Sequence, residues 1–232
     1  MTEFQKNIKF TSKKIDIHEH DILFPPAIGG YFIHETVGHL LESDNISILT
    51  VNDSVNCEFL SVTDDIKGNE HIVGLNKYDD NNVEIKRTEL IKNGKIISLI
   101  DSNDGFFRTD SILKKTIPRM RVTYVENCKN FDYNCHEKYK NYVEISQIFG
   151  GGVDFRTGHY QLFVRGILYE DGIPTYRMEN LLLSGNSQES LERIVFIGND
   201  LKIVHAYCVK NNQMLDVGVG SPTIYIKKSG GI

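Results

Sequence analysis

Two dipeptides, Asn93-Gly94 and Asp171-Gly172, constrain the fold of this chain more than any other feature of its sequence. Asn-Gly and Asp-Gly favour the type I′ turn of two-residue β-hairpins, and both lie between segments with strand patterns. The first turn would join residues 84–91 to 95–100, and the second would join 159–169 to 173–183. Further strands are predicted within 1–24 and at 46–51, 58–62, 202–209 and 223–228. The sequence therefore predicts an α+β fold, with a large, predominantly antiparallel β sheet or open barrel and a few helices.

Three helices are predicted beside this sheet. Pro25-Pro26 stops any preceding strand and favours entry into a helix, because proline fixes φ near the helical value. From residue 28 to 41 the apolar residues recur mostly every three or four positions, which gives one buried face. A second amphipathic helix is predicted at 135–148, and Asn186 or Ser187 would cap a third that ends near residue 196.

Length and charge exclude several classes of protein. The 232 residues, 40% hydrophobic and 25% charged, suit one domain over 1–232, since no linker or repeat divides them. A net charge of −5 offers no basic field for nucleic acid. No apolar run approaches the roughly 18 residues of a membrane span, and the N-terminus lacks a secretion signal. We therefore expect a cytoplasmic protein that binds neither membrane nor nucleic acid.

The first predicted helix carries the pattern His34-Glu35-x-x-x-His39. Histidines four residues apart share one face of a helix and can bind one metal ion. Here the spacing is five, and at about 100° per residue the two imidazoles would lie roughly 140° apart on a regular α-helix. A π-bulge, which inserts one residue into a turn, would bring them together, and Gly38 offers a permissive backbone for it. The alternative is a pair of surface histidines on an ordinary helix.

Other polar clusters have simpler interpretations. His18-Glu19-His20 is interpreted as a solvated strand face, and Cys128 and Cys135 as packing residues. The tandem Asp64-Asp65 is typical of a turn or an exposed loop. Gly150-Gly151-Gly152 is not followed by the Lys-Ser/Thr of a phosphate-binding loop.

Several motifs occur in one order along most of the chain. Residues 31–44 contain His34-Glu35-x-x-x-His39 and then Leu41-Glu42-x-Asp44. The motifs that follow are Val62-Thr63-Asp64-Asp65, Pro118-Arg119-Met120, Thr123-Tyr124, Phe149-Gly150-Gly151-Gly152-Val153-Asp154, Gly198-Asn199-Asp200-Leu201 and Val217-Gly218-Val219-Gly220-x-Pro222. In sequence and order they resemble the TldD/PmbA family of metallopeptidases, and within it the metal-carrying TldD type.

The resemblance implies a zinc peptidase. In the family a cysteine nine residues before the Val-Gly-Val-Gly segment completes the metal site, and Cys208 stands nine residues before Val217. The implied zinc ligands are therefore His34, His39 and Cys208, with Glu35 as the catalytic carboxylate. Three protein ligands leave one tetrahedral position open, as in catalytic zinc sites.

The resemblance also has implications for substrate and partner. Gly150, Gly151 and Gly152 would approach the backbone of a bound peptide. The expected substrates are unfolded or flexible peptides, including the precursor of a ribosomally made modified peptide. Family members have a further N-terminal domain before the metal helix, which we expect to be absent here, and they work with a metal-less homologue. We therefore expect a heteromeric partner of that kind, with a homo-oligomer as the alternative.

Two other functions stay open at this point. One is a scaffold or binding subunit in which the zinc is structural or lost. The other is a zinc hydrolase that uses the same residues on a substrate other than a peptide. A further departure from the family is the bulky segment Val204, His205 and Tyr207, where small residues are usual.

Overall fold

The computed structural model describes residues 9–10, 15–74, 77–128 and 139–229, and many of them lie in strands. The strands are β1 (Lys9–Phe10), β2 (Ile22–Phe24), β3 (Val62–Asp64), β4 (Thr88–Lys92), β5 (Lys95–Ile96), β6 (Phe107–Arg108), β7 (Ile117–Pro118), β8 (Val122–Val125), β9 (Tyr142–Val153), β10 (His159–Glu170), β11 (Ile173–Asn186), β12 (Ile194–Ile197), β13 (Lys202–Lys210), β14 (Gln213–Ser221) and β15 (Ile224–Ile226). The α-helices are α1 (Ile28–Ile33), α2 (Glu70–Val73) and α3 (Ser187–Glu192). None of these helices is long and apolar enough to cross a membrane.

The strands form two large mixed sheets. One has the order β1-β11-β10-β9-β2-β15-β12, the other has the order β13-β14-β8-β3-β4-β5, and β6 pairs with β7. Most neighbours are antiparallel, whereas β1 with β11, β2 with β9 and β8 with β14 are parallel. Over the described ranges both sheets stay open. The predicted α+β fold is therefore confirmed as open sheets with few helices, and there is no closed barrel.

One helical segment packs against both sheets and positions the candidate site. It begins with α1, continues as a π-helix over His34–Gly38 and ends as a 3₁₀ turn over His39–Leu41. Its first part contacts β9 of the larger sheet as well as β8 and β14 of the other. At Gly30 the helix and β14 approach so closely that a Cβ would lie 2.4 Å from the backbone nitrogen of Gly220.

Both predicted hairpins are confirmed. Asn93 and Gly94 have φ values of 49° and 76°, and Asp171 and Gly172 have values of 52° and 76°. These left-handed pairs are what a type I′ turn requires. The third predicted helix is also present. The Asn186 side chain caps it by accepting a hydrogen bond from the backbone of the first turn, and the helix ends at Glu192.

Several predicted elements are wrong. Residues 142–148, predicted as helix, belong to β9, while 135–138 lie outside the described residues. Residues 46–51 form no strand, and the strand predicted at 58–62 begins only at Val62. Within 1–24, a 3₁₀ turn at Ile17–Glu19 precedes β2. The strand β14 was not predicted at all.

Candidate metal centre

The helical half of the site has the distortion that the five-residue spacing predicts. The backbone N–H of His39 donates to the carbonyl of His34, which is the i to i−5 bond of a π turn. The two imidazoles lie side by side, with ring centroids 4.8 Å apart and planes at 82°. Both side chains are buried. The prediction of a π-bulge is confirmed, and the interpretation as surface histidines is wrong.

Gly38 has a different role from the one expected. Its φ of −55° is ordinary helical geometry, so the turn does not use the backbone freedom of glycine. Instead, a Cβ at this position would lie 1.9 Å from the Sδ atom of Met120. A side chain at this position would therefore require the buried Met120 side chain to move.

The third candidate ligand comes from the other sheet. Cys208 lies on β13, an edge strand that pairs only with β14 among the described strands. Its Sγ atom is 3.3 Å from Nε2 of His39. One ligand atom from each of His34, His39 and Cys208 falls within 4.8 Å of the others. The three residues that the sequence named as metal ligands are thus brought together and buried.

The charges around His39 favour an ordered imidazole. Its Nδ1 atom lies 2.8 Å from Oε2 of Glu42, a fully buried carboxylate. Burial opposes the charge on His39, but Glu42 and Cys208 outweigh it and raise the pKa of His39 well above its usual value. Burial also disfavours the charged form of Glu42 and by itself would raise its pKa, but His39 and Lys210 lower that pKa. Glu42 is therefore a carboxylate at neutral pH.

The donor set fits a zinc ion. Burial alone would raise the pKa of Cys208, but His34 and His39 lower it to about 4. The sulfur is therefore a thiolate at neutral pH, and a thiolate with two imidazoles is a ligand set that zinc accepts. Nδ1 of His34 is buried without a hydrogen-bond partner in the described part of the chain.

These groups line a cavity of about 700 Å³. Glu35 lines it next to the histidines, and Gly150, Gly151 and Gly152 line it from β9. Beyond Glu144, no described strand pairs with the edge of β9 that faces away from β10. The cavity therefore combines a carboxylate, three clustered metal-binding side chains and an unpaired strand edge.

The three glycines differ in what they tolerate. A Cβ at Gly151 would lie 2.4 Å from the carbonyl oxygen of Gln161 on β10, so packing within the sheet excludes a side chain there. A Cβ at Gly152 would meet no atom within 4 Å. A Cβ at Gly150 would also meet no atom within 4 Å, so among the three glycines packing requires the absence of a side chain only at Gly151.

Sequence reasoning missed three charged residues around the site. Lys210 lies 3.0 Å from Glu42 and 2.5 Å from Asp44. Arg119 is fully buried and donates to the carbonyl of Cys208 at 2.7 Å. A signal was present for Lys210, because residues two apart on a strand share a face and Lys210 follows Cys208 by two. Glu42, three residues after His39, was quoted as part of a motif without a role.

The remaining sequence candidates lie elsewhere. His18 is on a 3₁₀ turn rather than an extended strand, and its Nε2 atom is 3.5 Å from the Ser184 hydroxyl. Asp64, expected in a turn, is a buried strand residue paired with Arg121 at 2.7 Å. Cys128 is partly buried and packs against the core, whereas Cys135 lies outside the described residues.

Comparison with known proteins shows the family of this chain. Residues 18–230 match the family described as PmbA/TldA metallopeptidase C-terminal domain. A protein of Methanothermobacter thermautotrophicus named metalloprotease is 30% identical over 90% of this chain and 49% of its own length. A Saccharolobus solfataricus protein named zinc metalloprotease TldD homolog is 28% identical over 90% of this chain and 51% of its own. The chain spans about half the length of these curated relatives.

A solved structure shares the fold. TldE from Thermococcus kodakarensis superimposes with a TM-score of 0.65 at 15% identity, and the match covers 90% of this chain and 50% of that one. At this identity the likeness concerns the arrangement of strands and helices alone.

Proposed function

Because the chain belongs to the PmbA/TldD family, as its match over residues 18–230 shows, we propose that it is a zinc-dependent peptidase that hydrolyses unfolded or flexible peptides. The observation that carries the proposal is the convergence of His34, His39 and Cys208 in the cavity that Glu35 also lines. The same proposal treats residues 1–232 as one catalytic domain, because the three side chains come from both ends of the chain.

Each of these residues has a chemical role in the proposal. His34, His39 and Cys208 would hold zinc, which supplies a Lewis acid that polarises a peptide carbonyl and makes water more acidic. Glu35 would accept a proton from the attacking water and return it to the leaving amine as the peptide bond breaks. This role is supported by the position of Glu35 directly after His34 on the π turn, where it lines the same cavity.

The substrate would bind as an extended strand. The free edge of β9 beyond Glu144 offers backbone groups to pair with a peptide, which is the recognition mode called β-augmentation. Gly150, Gly151 and Gly152 present no side chains that would keep the peptide from this edge. A folded protein has few unpaired strands of this kind, so flexible peptides, such as the precursor of a ribosomally made modified peptide, are the proposed substrates.

The proposed partner is a metal-less homologue in the cytoplasm. The cavity lies between strands β9 and β13, each with an unpaired edge over the described ranges. A second chain of the same fold would supply walls that exclude folded proteins from this opening. A homo-oligomer would provide such walls in the same way.

The test is the variant Glu35→Gln. An amide cannot accept or return the proton, so the variant should keep its zinc and lose peptide hydrolysis. Zinc content and cleavage of a denatured protein are measured for the chain alone and with a metal-less homologue added. Glu58→Gln, which changes an exposed glutamate far along the sequence, is the matched control. Cleavage by Glu35→Gln at the parent rate would remove Glu35 from the mechanism.

A further inference from the structure

A buried ion pair lies directly behind the candidate metal ligands. Oε2 of Glu42 lies 2.8 Å from Nδ1 of His39 and 3.0 Å from Nζ of Lys210, and the amide of Asn45 donates to the same oxygen at 3.4 Å. The Glu42 side chain is 0% exposed and that of Lys210 is 6% exposed. Lys210 also reaches Asp44. One carboxylate oxygen thus joins a candidate ligand to a lysine on another element.

The two ends of this pair belong to the two halves of the site. Glu42 directly follows the 3₁₀ turn that begins at His39. Lys210 is the last residue of β13, and because side chains alternate along a strand, it faces the same way as Cys208. The pair therefore connects the chain segment of His39 with the strand of Cys208, although 168 residues separate Glu42 from Lys210.

The Glu42 carboxylate also selects which nitrogen of His39 is free. In the neutral imidazole, which is the form that binds a metal ion, donation of Nδ1–H to the carboxylate leaves the lone pair on Nε2. Nε2 is the atom that lies 3.3 Å from the sulfur of Cys208. Carboxylates in this position orient histidine ligands in many metal sites.

We propose that Glu42 and Lys210 are positioning residues, which together hold His39 and Cys208 at the separation that a metal ion needs. The proposal rests on the metal site of the proposed function. Among the described residues Lys210 makes its hydrogen bonds to Glu42 and Asp44 and none to His34, His39 or Cys208, so its effect on metal binding would pass through Glu42 and through β13. Neither residue needs to contact substrate.

The direction in which zinc affinity changes when Lys210 is removed separates this positioning role from a purely electrostatic one. Lys210 is a positive charge near a cation site, so its removal should strengthen zinc binding if charge alone mattered. If Lys210 positions the ligands, its removal should weaken binding. Substitutions of residues that orient a metal ligand typically cost about 10- to 100-fold in metal affinity, and we expect Lys210→Met to weaken zinc binding in this range.

The experiment measures zinc affinity of the full chain by competition with a chelator. Lys202→Met, at the exposed opposite end of β13, is the matched control and should bind like the parent. Cobalt replaces zinc in a second measurement, because thiolate-to-cobalt charge-transfer absorption reports ligation by Cys208. In Lys210→Met this absorption should weaken or shift. Unchanged or tighter zinc binding by Lys210→Met would overturn the proposal.

A second variant covers the case in which Lys210→Met does not fold. Glu42→Asp keeps the charge but shortens the side chain by one methylene, so it should also weaken zinc binding, whereas a purely electrostatic role predicts parental affinity. The double variant combines Glu42→Asp with Lys210→Met. If its zinc affinity is no lower than that of the single variant that binds zinc more weakly, the two residues act as one unit. A parent chain that binds no zinc would instead contradict the proposed function itself.

Discussion

The two halves of the candidate metal centre are held in place by different forces. His34 and His39 lie on a helical segment packed on both sheets, where Val37 and Leu41 are 0% exposed. Cys208 lies on an edge strand, between Tyr207 and Val209, which are 65% and 67% exposed. Apolar packing can therefore hold the helical segment in place. The edge strand packs against apolar residues on one face only, because Tyr207 and Val209 on its other face are exposed.

At the strand, polar contacts add to a small apolar cluster in which Cys208 packs with Ala206, Val217 and Val219. Arg119 donates to the Cys208 carbonyl, and Lys210 ties the end of β13 to Glu42. Such contacts are directional, so they can fix the position of a single atom at the margin of a core. The difference teaches that a site built across two sheets needs a packed half and a half held by hydrogen bonds and charge.

The largest expected effect comes from removing a ligand from either half. His34→Ala, His39→Ala and Cys208→Ala should each reduce zinc content nearly to zero, because two remaining protein ligands hold the ion weakly. Zinc is measured in the purified variants after dialysis. Cys57→Ala, which removes another buried thiol, is the control for loss of a cysteine. Full zinc in Cys208→Ala would mean that the strand contributes no ligand.

A smaller effect is expected from a change that concerns the helical half alone. Gly38→Ala forces a methyl group against Met120, and overpacking of this kind typically costs about 1–3 kcal/mol. The free energy of unfolding, measured by denaturant titration of the metal-free protein, should fall by that amount. Gly152→Ala is the matched control, since its methyl group enters open space. Equal stability of the two variants would show that the helix is not tightly packed at Gly38.

The smallest expected effect follows removal of the metal without any mutation. If Cys208 holds zinc as proposed, hydrogen exchange should then become faster in β13, because the strand would lose its link to the ion and has an unpaired edge over the described ranges. The segment 28–41 should keep its protection, because its core packing does not depend on the metal. Mass spectrometry of peptides from both regions, with and without chelator, measures this. Equal acceleration in both regions would contradict the division into two halves.

Local signals in the sequence predicted a large part of this fold. The turns at Asn93-Gly94 and Asp171-Gly172 and the helix after Pro25-Pro26 depend on neighbouring residues only, and all are present. The segment 142–148 was misread because its apolar residues also fit a helical spacing, although Val143 and Ile145 alternate as in a strand. No strand was predicted at β14, although Leu215, Val217 and Val219 alternate as in a strand, because Gly218 and Gly220 weaken the pattern.

The candidate site was only partly predictable, because local signals in the sequence do not report contacts between distant residues. The distortion of the helix follows from the spacing of His34 and His39 by geometry alone. The approach of Cys208 to His39 joins residues 169 positions apart, and only the family resemblance pointed to it. Strand alternation places Lys210 on the face of Cys208, but its partner Glu42 lies 168 positions away, and Arg119 lies 89 positions from Cys208, so no local pattern predicts these contacts.

The π turn also affects how related sequences should be aligned. A π turn holds one residue more than an α turn, so a chain that lacked one residue between the histidines would form a regular helix there. Its two imidazoles would then be four residues apart and would still face the same ion. The spacings of four and five can therefore describe the same ligand geometry. An alignment should place a one-residue gap inside this turn instead of treating the two patterns as unrelated.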